Sequence, residues 1–260
     1  MNAAAKGPTA PEPSVVARNK AVLGELPFAN RDDFADAERG FVATVPDATI
    51  LNAGGKPAWS QKQYEFIDDG PAPDSVNPSL WRISQLNRRH GLFKVTDGVY
   101  QVRGLDIANM TIVEGKTGII VIDTLTCTEA ARVALKLYFD HRGQKPVKAV
   151  IYTHTHADHF AGVKGVVDEA DVASGKVPVI APNLFMEYAV SENIIAGPAM
   201  LRRSTYQFGP LLPPGPRGQV DAGLGKTTSR GTLSLIAPTD LIINTGDRRT
   251  LDGLEFIFQM

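Results

Sequence analysis

The 260-residue chain is 43% hydrophobic and 21% charged, the balance of an ordinary folded protein, and its length suits one large domain or one domain with an extension. Lysine and arginine (27) nearly cancel aspartate and glutamate (28), and the net charge of -1 gives no bulk attraction to nucleic acid or to a membrane surface. No apolar stretch approaches the ~20 residues that span a bilayer, and Cys127, the single cysteine, excludes an intrachain disulfide and reads as a buried, inert thiol.

Residues 1–27 read as a disordered or extended tail, without the apolar core of a secretion signal. Residues 28–92 read as an irregular N-terminal wrap, rich in Pro, Gly and Asp, that Trp59 and Trp81 pin to the core. Within it, Phe34, Ala37, Phe41 and Val42 fall at helical spacing after an acidic start. Residues 93–260 carry the regular structure. Strands are expected at 98–104, 109–115 and 118–124, the last two joined by the turn "GKTG". A helix follows at 128–143, with Thr128 as N-cap and Gly143 as C-cap, then a strand at 147–153. A further strand at 177–182 leads into a helix at 183–197 capped by Asn183. "FGPLLPPGPRG" (208–218) is a loop, and "TLSLIAP", "DLIIN" and "LEFIFQM" read as strands. Strands alternating with helices indicate a layered α/β domain.

Three of the five histidines fall in "YTHTHADHFAGV" (152–163), at the mouth of a buried strand. On an extended backbone His154 and His156 project to the same side, because alternate side chains share a face. Asp158 and His159 follow. One short loop therefore offers two imidazoles to one metal and a carboxylate plus an imidazole to a second, with zinc the foremost candidate. Two such metals could bridge a hydroxide and deliver it as a nucleophile at neutral pH. The other two histidines, His90 and His141, read as structural or surface residues. "GLGKTT" (223–228) is not a phosphate-binding loop, since the motif requires glycine where Val220 stands. That segment is instead expected to shape a substrate cleft, with Lys226 or Arg230 available for an anionic group.

"THTHADH" (153–159) resembles the H-x-H-x-D-H signature of the metallo-β-lactamase superfamily. The resemblance implies an αββα sandwich, here incomplete at the C-terminus, with a metal site on its loops. Asp123, ending "GIIVID", falls where that superfamily keeps an aspartate bracing the metal loop. "LDIANMTIVEGKTGIIVIDTLT", "YTHTHADHFAGVKGVV" and "GLGKTTSRGTLSLIAPTDLI" further resemble the alkyl sulfatases, from about Phe28 to Met260. This implies hydrolysis of alkyl sulfate esters such as dodecyl sulfate, to alcohol and sulfate, by metal-bound hydroxide. It implies two zinc ions on His154, His156, Asp158 and His159, with Asp123 behind them, a small-molecule substrate and a homodimer. It also implies two glutamates and a histidine from segments after Met260, so the chain alone is expected to bind zinc weakly and to be poorly active. Glu187, Glu192 or Asp247 would have to complete the site otherwise. Two other readings stay open: another hydrolase of this superfamily, such as a lactamase or thioesterase, and a non-catalytic chain. The "GLGKTTSRGT" segment counts against the first of these.

Overall fold

The computed structural model describes residues 7–45, 47 and 49–260. The N-terminal part is more regular than expected. Helix α1 (Pro13–Glu25) opens with proline in its first turn, where the missing N–H costs nothing, and Val22 is its buried residue. This corrects the expectation of a tail through residue 27; residues 1–6 lie outside the described residues. Helix α2 (Asp32–Glu38) stops early, and Gly40, with φ +75, turns the chain so that Phe41 and Val42 enter strand β1 (Phe41–Ala43). Pairing with a neighbouring strand overrides the helical spacing of those two residues. Strands β2 (Thr49–Leu51) and β3 (Pro57–Ser60) form a hairpin, and helix α3 (Pro78–Leu86) follows. Asn77 caps α3 by accepting from the Ser79 amide. Trp59 and Trp81 are buried, as expected of anchors for this region.

Strands β4 (Gly91–Thr96), β5 (Val99–Arg103), β6 (Met110–Glu114) and β7 (Ile119–Ile122) run as an antiparallel meander. Helix α4 (Thr128–Arg142) then crosses over to β8 (Val147–Ile151), which lies parallel to β7. Short helices α5 (Ala157–Phe160) and α6 (Glu169–Ala173) precede β9 (Val179–Pro182). Helix α7 (Phe185–Val190) runs through a π-helical turn at Ser191–Ile195 into α8 (Gly197–Phe208). Strand β10 (Asp240–Ile242) adds in parallel to β9, and β11 (Arg248–Leu251) and β12 (Leu254–Ile257) close the chain as a hairpin. The central sheet has eight strands in the order β1-β4-β5-β6-β7-β8-β9-β10. No helix among the described residues is long and apolar enough to cross a membrane.

Both faces of the sheet are covered, which is why its central strands read as unbroken apolar runs. Ile119, Val121 and Val150 pack with Ala130, Ala134 and Tyr138 of α4. On the other face Ile120, Ala149, Ile151, Ile180 and Ile242 meet Leu251, Leu254 and Phe256 of the terminal hairpin. Asp252, at the tip of that hairpin, accepts from the amides of Thr117 and Gly118 and from the Thr117 hydroxyl, clamping the β6–β7 turn.

Three expectations need correction here, and one strand was not foreseen. "TLSLIAP" joins no strand; it runs as a strap, its Thr232 carbonyl accepting from Thr128 and its Ser234 amide donating to Ala161. Strand β11 was not expected, because Arg248, Arg249 and Thr250 interrupt any apolar pattern. Helix α4 begins at Thr128, so Cys127 occupies the cap position, while Gly143 ends the helix as expected. Asn183 caps nothing: its amide donates to Ile242, and Leu184 with φ +60 leads into α7.

A buried carboxylate ties the remote parts together. Asp106 accepts from the Ile107 and Ser229 amides on one oxygen, and from the Thr126 amide and Ser229 hydroxyl on the other. Burial pushes its carboxyl above the usual range, and the four donors oppose that by favouring the ionised form. Asp106→Asn puts an amide N–H₂ against donors, so we expect a loss of about 2–4 kcal/mol in urea-melt stability. An unchanged midpoint would refute this account of the 223–231 loop.

Candidate metal centre

Strands β7 and β8 are parallel neighbours, so their carboxyl ends open on the same edge of the sheet, the usual position for sites in such folds. Asp123 follows β7 directly. Its φ of +58 and that of Leu125, +62, are left-handed values uncommon for residues other than glycine. Hydrogen bonds hold this bend: the Asp123 amide donates to Ile151 and the Thr124 amide to His159, both backbone carbonyls. Gly162 is required beside it, since a Cβ there would lie 2.0 Å from the Thr124 carbonyl oxygen. The Asp123 carboxylate, itself buried, accepts from the Thr153 amide at 2.9 Å, the Thr153 hydroxyl at 2.8 Å and His159 Nδ1 at 2.6 Å.

The histidine loop, Thr153 to His156, leaves β8 just beyond Tyr152, whose buried ring stacks on Phe185. His154 Nε2 lies 3.1 Å from His156 Nδ1, and His159 Nε2 lies 3.2 Å from Asp158 Oδ2. The His154 ring centroid is 4.0 Å from that of His159 and 4.7 Å from that of His156. Two donors on one tetrahedral zinc sit about 3.4 Å apart. Both spacings are close to that figure, so the nitrogen and oxygen donors present suit a bound cation. The donors are matched in twos: among the described residues no group of three or more His, Cys, Asp and Glu is arranged to hold a metal ion.

Each ring also has an outer partner. His154 Nδ1 is 2.9 Å from the Thr153 hydroxyl, His159 Nδ1 is on Asp123, and His156 Nε2 is 2.9 Å from Glu192 Oε1. Burial works against a charged His159, but Asp123 and Asp158 outweigh it and raise its pKa to about 10. Burial, and the neighbouring His159 and His156, push His154 down. Burial opposes ionisation of Asp158 as well, yet His159 brings its carboxyl below the usual range. With its value raised this far, His159 presents N–H to both Asp123 and Asp158 in the metal-free chain.

The remaining candidates separate clearly. Lys226 is corrected as a substrate-binding residue: only 1% of its side chain is exposed, and its ammonium is held by Asp221 at 3.0 Å and the Ser84 carbonyl at 2.6 Å. Arg230 is exposed and lines a cleft of about 600 Å³ with Trp59, Lys62, Tyr64, Thr227 and Thr228; no residue of the histidine loop lines it. Of the three carboxylates considered for completing the site, Glu192 alone touches it. Asp247 accepts from the Ile243 and Asn244 amides in a turn, and Glu187 is exposed on α7. His90 and His141 bond local carbonyls, and Cys127 is buried. Thr153, which joins Asp123 to His154, was missed by sequence reasoning although it immediately precedes the motif.

The family model of the metallo-beta-lactamase superfamily matches residues 103–251, a span that holds Asp123 and the whole histidine loop. The chain belongs to the metallo-beta-lactamase superfamily. Within that superfamily it is similar to an alkyl/aryl-sulfatase of Saccharomyces cerevisiae, 55% identical over 249 residues, covering 96% of this chain and 38% of that protein. It is also 55% identical over 243 residues to a linear primary-alkylsulfatase of Pseudomonas sp., covering 93% of this chain and 36% of that one. The solved stereoselective inverting sec-alkylsulfatase of Pseudomonas sp. superposes with a TM-score of 0.91 at 51% identity, covering 100% of this chain and 40% of that chain. The chain therefore spans less than two-fifths of the length of these two curated relatives. As a superfamily member it has a mixed α/β fold with a central sheet.

The raised His159 value sets a pH dependence. A histidine carried from an ordinary 6.5 to about 10 contributes stability that is complete below the first value and lost as pH rises through the second. For metal-free protein we expect the urea midpoint to fall between pH 7 and 10, and Asp123→Asn to flatten that fall. Histidine NMR should show His159 as imidazolium at pH 8; an ordinary titration near 6.5 would exclude this electrostatic account.

Proposed function

We propose that this chain carries the metal-binding part of a zinc-dependent alkyl sulfatase, which hydrolyses alkyl sulfate esters such as dodecyl sulfate to alcohol and sulfate. The observation that carries the reading is the double pairing of donors, His154 with His156 on the loop and Asp158 with His159 on α5 just after it, braced by Asp123. The identity of about half the residues to proteins named as alkylsulfatases supports the substrate class. Imidazole and carboxylate donors suit zinc, and two pairs suit two ions.

Asp123 does several tasks in this scheme. It accepts from His159 Nδ1, leaving Nε2 of that ring toward Asp158, and it orients the Thr153 hydroxyl that meets His154. When bound, zinc supplies a Lewis acid and a water acidified to a pKa of about 7. A sulfate ester carries one negative charge; Arg230 lines a cleft apart from the histidine loop and is given no role at the metal centre. The buried Lys226 has no part in this.

Zinc bound after metal loading is read by elemental analysis, and sulfate release from dodecyl sulfate by ion chromatography. His156→Ala and Asp158→Ala are expected to weaken zinc uptake by ~100-fold or more, the upper end of what losing even an outer partner of a ligand costs, and to remove what sulfate release the unsubstituted chain shows. Circular dichroism should show the fold retained. Failure of the unsubstituted chain to take up zinc would overturn the metal reading; sulfate release that survives both substitutions and chelator would overturn the hydrolytic one.

A further inference from the structure

Of the three rings in the loop, His156 is oriented differently from the others. His154 and His159 turn Nε2 inward, and both have outer partners rooted at Asp123, within the sheet edge. His156 turns Nδ1 inward, toward His154 Nε2, and its side chain is 54% exposed. Nothing in its own loop holds its outer nitrogen. That nitrogen is met by a residue 36 positions further on, Glu192, at 2.9 Å.

Glu192 is itself fixed. Its second oxygen accepts from the Thr155 hydroxyl at 2.9 Å. The next residue, Asn193, donates its side-chain amide to the Thr155 carbonyl at 3.0 Å and to the Ala189 carbonyl at 2.9 Å. Both residues lie on the π-helical turn between α7 and α8, a widened turn of the kind found at functional sites. Two consecutive side chains of one turn thus grip the backbone and side chain of the loop between the two histidines.

We propose that Glu192 is a positioning residue of the metal centre, its carboxylate accepting Nε2–H of His156 so that the Nδ1 lone pair of that ring faces the cation. The inference rests on the metal-binding reading above. The chemistry behind it is simple. An ionised carboxylate only accepts hydrogen bonds, so the ring nitrogen facing it must carry hydrogen, and in a neutral imidazole the other nitrogen is then bare. An exposed ring without such a partner would exchange tautomers and rotate about its χ2 bond. Carboxylate partners of ligating histidines also raise the basicity of the ligating nitrogen. With both oxygens engaged, Glu192 acts through His156 rather than as a ligand.

The test uses the chain with Glu192→Ala and Glu192→Gln, the latter keeping an acceptor oxygen at that position. Two quantities are read: zinc affinity by competition with a chromophoric chelator, and the tautomer of His156 in metal-free protein by long-range ¹H–¹⁵N correlation. We expect Glu192→Ala to lose the fixed Nε2–H tautomer and to weaken zinc by ~10–100-fold, with Glu192→Gln recovering most of both. Zinc affinity and tautomer both unchanged in Glu192→Ala would overturn the proposal and leave the metal reading intact. No zinc uptake by the unsubstituted chain would overturn the metal reading, and this proposal with it. An equal loss in Glu192→Gln and Glu192→Ala would overturn the acceptor role.

Discussion

The carboxylate of Asp123 is the constraint on which the arrangement at the sheet edge depends. It stands in a left-handed backbone conformation at the end of β7, and that conformation is unfavourable on its own. What offsets it is a set of donors from the adjacent strand and loop: the Thr153 amide and hydroxyl, and His159. The same atoms that relieve the bend therefore aim the loop. Removing the carboxylate would leave a strained turn without its compensation and an imidazole without its orientation, which is why stability and site geometry are coupled at this one residue.

Two buried cation–carboxylate arrangements in the molecule make an instructive contrast. Lys226 and Asp221 are almost wholly enclosed, with the ammonium also bonded to the Ser84 carbonyl. Such a pair fixes the 219–229 loop against α3 and has no open side. His159 lies between Asp123 and Asp158 with a side chain that is 22% exposed, so this pair keeps contact with solvent. Geometry alone encloses one pair and leaves the other accessible. From the sequence both His159 and Lys226 were expected to take part in a site, and only Lys226 is enclosed.

The strands from β5 to β9 and the helix α4 were legible because both faces of the sheet are covered and the apolar runs are long. The histidine loop was legible because four ligand-type residues fall within six positions, and Asp123 because the superfamily resemblance implies a bracing aspartate at the end of that apolar strand. The N-terminal hairpin and the helix α1 were not, since their stability comes from packing on remote parts of the chain, which short-range pattern cannot report. Phe41 and Val42 followed their strand partner rather than their helical spacing. Glu192 could be named as a candidate carboxylate but not placed, because its distance from His156 is set by the path of β9 and α7. Thr153 carried no composition signal at all.

The terminal hairpin has a consequence for how the molecule is made. Its apolar side covers Ile120, Ala149 and Ile180, residues synthesised some 75 to 130 positions earlier, and Asp252 reaches back to Thr117 across 135 positions. During synthesis, one face of the central sheet must wait without its cover until residues 248–256 have left the ribosome. Contacts so distant along the chain close slowly, and an apolar sheet face left open meanwhile invites association with other chains. The sheet that carries the histidine loop thus keeps an apolar face uncovered until residues 248–256 are made.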